Sequence, residues 1–234
     1  MREVRLIAVR EIQDLFKDRR SLVSILLFAG VWGFVALPRL FGTAGFTGGI
    51  RENLLFYLMT LLSAYSSFIL STTAFVGEKK DGRIRTLLCS PVSLRQYAAG
   101  KCVGVAVQAY GIGIVVSGLI ALVTGLLSPG SSFTLSLPFL LYAFPVLPLL
   151  VLGFTGLIGI YQLSTGLKPT RIFNIIVVLL LFGGLGAANA VLGPEELVGW
   201  TGLGLIAAVS LGLISLSLFL SRLIRKEKIV TSVD

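Results

Sequence analysis

An all-α membrane protein with six transmembrane helices is the fold class this chain predicts, on three observations. First, 55% of its 234 residues are hydrophobic, 13% are charged, and mean hydropathy is +0.94. Soluble domains are about 45–50% apolar and ~25% charged, so one globular core cannot take up this much apolar surface. Second, six runs reach the ~20 apolar residues that cross ~30 Å of hydrocarbon as a helix. They are Leu22–Phe41, Asn53–Val76, Ala98–Leu127, Leu135–Tyr161, Ile172–Leu192 and Thr201–Leu220. They are continuously apolar and lack the alternation of membrane strands, which argues against a barrel. Third, the basic residues are sorted by side. With an even number of spans both termini share a side, and of the 20 lysines and arginines only Arg39 and Arg51 fall opposite it. The positive-inside rule assigns that side to the cytoplasm, giving a multi-pass plasma-membrane protein with both termini inside. The connections are short, so residues 22–221 form one membrane domain, flanked by segment 1–21 and tail 222–234.

The net charge of +9 is accounted for by this sorting and by attraction to anionic lipid headgroups, and it requires no nucleic-acid partner. In the leading segment, Val4, Ala8, Ile12, Leu15 and Phe16 recur at helical spacing, while Arg5, Arg10, Glu11, Asp14, Lys17 and Asp18 fall largely elsewhere on the wheel. The pattern predicts an amphipathic helix on the inner leaflet that turns into the first span near Asp18–Ser21; a plain basic flank is the simpler alternative. Its charges of both signs and the long apolar run behind it distinguish it from a cleaved signal peptide.

The second span carries Ser63, Ser67 and Ser71 on one helical face. Such serines either line a translocation route or hydrogen-bond between packed helices, and packing is the commoner use. Residues 77–97 then form a basic, partly amphipathic insert. Asp81-Gly82 is a turn signal and Ser90-Pro91 resets the chain. Between them Ile84, Leu87 and Leu88 recur at i, i+3, i+4, with Arg83 and Arg85 largely off that stripe. After Pro91, with Ser90 or Ser93 as the cap, Leu94-Arg-Gln-Tyr-Ala leads into the third span, giving a short cytoplasmic helix, a break, and a long helix entering the bilayer.

Gln108 and Tyr110 are the polar residues of the third span, Asn174 and Asn189 those of the fifth. They stand beside the serines as candidates for either pathway or packing. Gly100-x-x-x-Gly104 and Gly183-Gly-Leu-Gly186 permit close helix contact. Pro145 and Pro148 predict a kink in the fourth span. Leu167–Arg171 is a second cytoplasmic contact point, and Gly193–Trp200 combines a helix-start pattern with an interfacial tryptophan.

Several chemistries lack their residues. There is no histidine, and the two cysteines, Cys89 and Cys102, predict neither a metal site nor a disulfide. The ionisable residues fall at span ends, with Arg39 and Lys101 close enough to snorkel, so proton relays and membrane proteolysis lose their machinery. No G-x-x-x-x-G-K-[ST] loop is present; Gly100-Lys101 is followed by Cys102. Catalytic, cofactor-binding and metal-binding residues are therefore all expected to be absent.

The run from Phe75 to Lys101, with its Val-Gly-Glu-Lys-Lys-Asp-Gly start, its Leu-Leu-Cys-Ser-Pro-Val-Ser centre and its Gly-Lys end, resembles the signature between the second and third helices of type-2 ABC transporter permeases. The leading helix with Lys17-Asp-Arg-Arg20 and the six spans with both ends inside are similar to that family too. The likeness covers the whole chain in topology and about a tenth of it in motif. It implies a permease subunit of an ATP-driven exporter, not itself an enzyme. This subunit would pair with a second permease subunit and with cytosolic ATPases that bind ATP and Mg. The insert would be a coupling helix: Glu78 and Gly82 would shape its turn, Ile84, Leu87 and Leu88 would enter the ATPase groove, Pro91 would mark the break, and Leu94 would start the next helix. Arg83 and Arg85 stand where many relatives carry Thr and Glu, which changes the charge match to the ATPase. With the Gly/Ala-rich end of the fifth span, residues 193–200 would form a re-entrant outer gate; from the residues alone a plain interfacial turn is an equal alternative. A haem-exporting permease of cytochrome maturation is the neighbouring alternative, and an ATP-independent six-helix channel or scaffold is the alternative from another class.

Overall fold

In the computed structural model, residues 2–41, 48–80, 94–127, 136–165, 176–177, 183–184, 186–187 and 199–223 are described. Among them every regular element is helical. The order is α1 (Arg2–Lys17), α2 (Arg19–Phe41), α3 (Gly48–Ser71), a π-turn (Thr72–Val76), α4 (Gly77–Lys80), α5 (Leu94–Leu127), α6 (Leu137–Leu141), a second π-turn (Tyr142–Val146), α7 (Leu147–Ser164) and α8 (Trp200–Leu223). Four stretches are long and apolar enough to cross a membrane: Glu52–Lys79, Gln96–Val123, Leu137–Ser164 and Trp200–Arg222. Ser21–Phe34 is a shorter apolar helix among the described residues. Of the fifth apolar run only 176–177, 183–184 and 186–187 are described.

The helix through Glu52–Lys79 is the most buried of the four, and Trp200–Arg222 is the most peripheral. α3 packs on α5, α7 and α2, while α8 packs chiefly on α7. The main core gathers Phe56, Leu70, Phe75, Val105, Tyr142 and Leu147 from α3, α5 and the fourth-span helix. Among lipid tails burial of apolar groups supplies little drive, so close packing and internal hydrogen bonds hold such a bundle. The small residues show it. A Cβ on Gly159 would come within 2.6 Å of the Phe75 ring and 3.2 Å of Cys102 Sγ. At the same interface Ser67 and Thr155 share a hydrogen bond of 2.6 Å.

Where Pro145 and Pro148 predict a kink, the fourth-span helix winds as the π-turn Tyr142–Val146, with Pro145 inside it and Pro148 at the second position of α7, which continues the same helix. At the opposite end of α3, Glu52 accepts from Ser136 N and Ser136 Oγ at 2.7 Å each. Ser136 is in turn the N-cap of α6, accepting from Phe139 N.

Candidate functional site

Where α1, α4 and α5 meet, the structure holds a buried ion cluster. Lys101, two turns into α5, is 1% exposed. Its Nζ lies 2.9 Å from Glu78 Oε1 and 3.2 Å from Glu11 Oε1, and donates to the Ala74 carbonyl at 2.8 Å. The Tyr97 hydroxyl donates to Glu78 Oε2. The rings of Phe75 and Tyr97 face the ammonium, each 5.5 Å away at the centroid, the range of a cation–π contact. A buried ammonium is tolerable only when paired and hydrogen-bonded, and here both conditions are met.

The local fold explains why these groups converge. The π-turn Thr72–Val76 adds a residue to one turn and so changes the direction of the carbonyls around it; the Ala74 carbonyl reaches Lys101. Thr72 and Thr73 bond back to the Phe68 and Ile69 carbonyls, which bends helices further. Three neighbours grip the same turn: Ser21 of α2 meets Thr73 Oγ1 at 2.7 Å, Gln162 of α7 donates to Thr72 Oγ1 at 3.0 Å, and Lys101 of α5 takes Ala74. Just beyond, Lys79 Nζ donates to the Thr165 carbonyl at the end of α7, 2.7 Å away, the usual pairing of a lysine with a helix C-terminus.

Gly104 makes the docking of α1 possible. A Cβ there would stand 3.0 Å from the Ala8 carbonyl and 3.1 Å from Glu11 Cβ. Gln108, one turn on, donates to the Ile12 carbonyl at 2.9 Å. α1 is thus fastened to α5 by a glycine seat, an amide and an ion pair. Two carboxylates face one ammonium. Burial, the largest influence, pushes the Glu11 carboxyl above its ordinary range; the pull of Lys101 opposes that and the repulsion of Glu78 adds to it.

Two readings made from sequence need correction. Lys101 does not snorkel: it is buried and turned into the bundle. Glu11 does not belong to the polar face of α1: it stands at i+3 from buried Ala8 and is itself buried. The spacing from Ala8 was a legible signal for Glu11, whereas its partner lies 90 residues away.

The remaining candidates are distributed as follows. Glu78 is in the short helix Gly77–Lys80, engaged with Lys101 and Tyr97. Ser63, Ser67 and Ser71 are fully buried; a Cβ on Gly113 of α5 would collide with Ser63 Oγ, and Ser67 pairs with Thr155 of α7. The structure brings Gln108 to α1 and not to the serines. Leu94 begins α5. Gly82, Arg83, Ile84, Arg85, Leu87, Leu88, Pro91, Asn174 and Asn189 lie outside the described residues, as do Cys89, Leu167–Arg171 and most of 193–200.

Chemically, the arrangement is a brace. Residues 80 and 94, the two described ends flanking 81–93, both stand within a few residues of the cluster; the cluster joins α1, α4 and α5 through charge-assisted contacts, and the neighbouring Lys79 ties α4 to the end of α7. No protein-family model matches the chain, and no curated protein matches it.

Proposed function

We propose that this chain is the transmembrane permease subunit of an ATP-driven exporter of the type-2 ABC kind, with six spans, both termini in the cytoplasm and a plasma-membrane location. It works as a dimer with a second permease subunit, and a separate cytosolic subunit binds ATP and Mg. Residues 81–93 receive the movement of that ATPase, with Ile84, Leu87 and Leu88 as the apolar contact and Arg83 and Arg85 setting the charge match.

The observation that carries this reading is the Glu11–Lys101–Glu78–Tyr97 cluster. A loop that did nothing but carry topological charge would not need a buried, four-residue brace at its two ends. A segment that transmits force needs a stiff connection to the helices it moves, because packed interfaces respond as units. ATP binding then shifts a population between two arrangements of the bundle. The motif and three members of the brace, Glu78, Tyr97 and Lys101, fall on the same stretch, and the positive-inside pattern of the chain gives that stretch the cytoplasmic side, which is what supports the assignment.

The test is affinity purification of the full chain from its own membranes in a mild detergent, scoring co-purifying proteins and ATP hydrolysis. A stoichiometric ATPase that is lost when Leu87→Asp and Leu88→Asp are combined supports the proposal. Recovery of the intact chain without an ATPase, or an ATPase that stays bound to the double variant, overturns it in favour of an ATP-independent channel or scaffold.

A further inference from the structure

Apolar contact contributes little to the hold of α1 on the bundle. Among its described side chains Ala8 is the only buried apolar one, whereas Leu6 and Val9 are 65% and 47% exposed. The docking rests instead on the close approach of Ala8 to Gly104, on the amide of Gln108 at the Ile12 carbonyl, and on Glu11, which is 9% exposed and meets Lys101. Of these contacts only the last can change its charge, so the strength of docking depends on the state of one carboxyl. The two carboxylates around Lys101 are not equivalent. Glu78 has Lys101 at 2.9 Å on one oxygen and the Tyr97 hydroxyl on the other, whereas Glu11 has Lys101 alone, at 3.2 Å. When two buried carboxylates share one ammonium, the less well hydrogen-bonded of them is the one that takes a proton.

We propose that α1 is a proton-controlled latch, which closes on α5 with a proton held at the Glu11 carboxyl and is released as that proton passes to water. In the closed form Glu11 Oε1 still accepts from Lys101, and the ammonium then faces one carboxylate, Glu78. Once the proton leaves, two buried carboxylates repel each other across one ammonium. Glu78 cannot withdraw, because α4 continues α3 through the π-turn. Glu11 can, because it leaves with a helix that has little apolar hold. The groups around it act in the same direction. Burial raises its proton affinity most, Lys101 from α5 opposes this, and Glu78 from α4 and Asp14 on its own helix add to it. Arg10 is turned to Asp14 at 3.8 Å, Lys79 to the Thr165 carbonyl, and Asp18, ahead of α2, to Ser21. The π-turn Thr72–Val76 carries no ionisable side chain. Undocked, the carboxyl is in water at its ordinary value of 4.5; docked, it lies higher. Docking therefore takes up a proton. Its equilibrium constant falls by up to about tenfold per pH unit as pH rises from the undocked value to the docked one, and is level above that.

The experiment follows the full chain in lipid nanodiscs by hydrogen exchange between about pH 4.5 and 7.5, corrected for the intrinsic pH dependence of amide exchange, and compares α1 with α7. In wild type, protection of α1 should fall with rising pH by up to about tenfold per unit and then level off, while protection of α7 stays constant. Glu11→Gln carries no charge at any pH and should keep α1 protected throughout. Glu78→Gln leaves Lys101 to Glu11 alone, which lowers the docked proton affinity and should shrink the pH dependence of α1; it decides the matter if Glu11→Gln fails to fold. A purely structural contact would lose protection in this variant without changing the slope against pH. Protection of α1 that does not vary with pH overturns the proposal. So does a fall in Glu11→Gln equal to that of wild type, or a loosening of α1 and α7 together. No ATPase is present in the measurement, so its outcome is independent of the permease assignment.

Discussion

Replacing Lys101 with methionine removes the ammonium while keeping most of the side chain's volume, so the cavity contribution stays small. What is lost is electrostatic. At 2.9 and 3.2 Å, the pairs with Glu78 and Glu11 each have a Coulomb energy on the order of 5 kcal/mol at an effective dielectric of ~20, before desolvation. Breaking a buried pair from one side leaves the other charge uncompensated and costs about 3–5 kcal/mol. For a chain of this size that corresponds to a fall in Tm of roughly 6–20 °C. The pH dependence provides the sharper check. Glu11 has a folded pKa above its ordinary 4.5, so the folded state binds its proton more tightly than the unfolded state. Stability from this group is therefore greatest at low pH and declines as pH rises from the unfolded value through the folded one. Lys101 opposes the upward shift. Its removal should raise the Glu11 pKa further and make the variant's deficit larger at pH 7.5 than at pH 5.0. Thermal unfolding in detergent, run at both pH values on wild type, Lys101→Met, Glu11→Gln and the double variant, measures this. A deficit under about 1 kcal/mol at pH 7.5, or one equal at both pH values, would refute the buried-cluster account. So would strict additivity of the two single changes.

Other outcomes follow from the same geometry. Gly104→Val should push α1 off α5, since its first carbon alone would be 3.0 Å from the Ala8 carbonyl; protease access to residues 2–17 should increase while the bundle stays folded. Glu52→Ala should leave the α6 N-terminus without its partner and cost about 1–3 kcal/mol, because two hydrogen bonds to one carboxylate disappear together; Ser136→Ala alone should cost ~1 kcal/mol, the usual worth of an N-cap. Gly159→Leu should be far more damaging than Gly212→Leu, because the first meets the Phe75 ring and the second meets nothing within 4 Å; yield of folded protein by size-exclusion profile separates the two.

Much of the fold could be read without coordinates because its causes are local. Apolar run length announces the helices of the second, third, fourth and sixth spans, and all four are present within a few residues of the expected bounds. The amphipathic repeat from Val4 to Phe16 announces α1. Pro145 announces the irregular turn that contains it, because a missing N–H is a property of one residue. The sequence also marks where to look for function, since a charged, turn-rich insert between two apolar runs has no role in spanning the bilayer.

What residue type and spacing could not supply is which faces meet. Lys101 at a span end is equally consistent with snorkelling and with burial, and Glu11 on an amphipathic wheel is one charge among several. Only tertiary packing decides, because the pairing partners are 90 and 23 residues from Lys101 along the chain and come together through the docking of α1 on Gly104. The π-turn at Thr72–Val76 has no proline and no glycine to announce it; it exists because Ser21, Gln162 and Lys101 from three other helices hold it. The same holds for the serines of α3. Their periodicity placed them on one face, and only the approach of α5 and α7 showed that the face is interior. Sequence alone thus determined that this is a helical membrane protein with a charged insert, because hydrophobicity and charge act residue by residue. The tertiary structure decided how that insert is anchored, because ion pairing in a low-dielectric interior depends on positions that distant segments take up together.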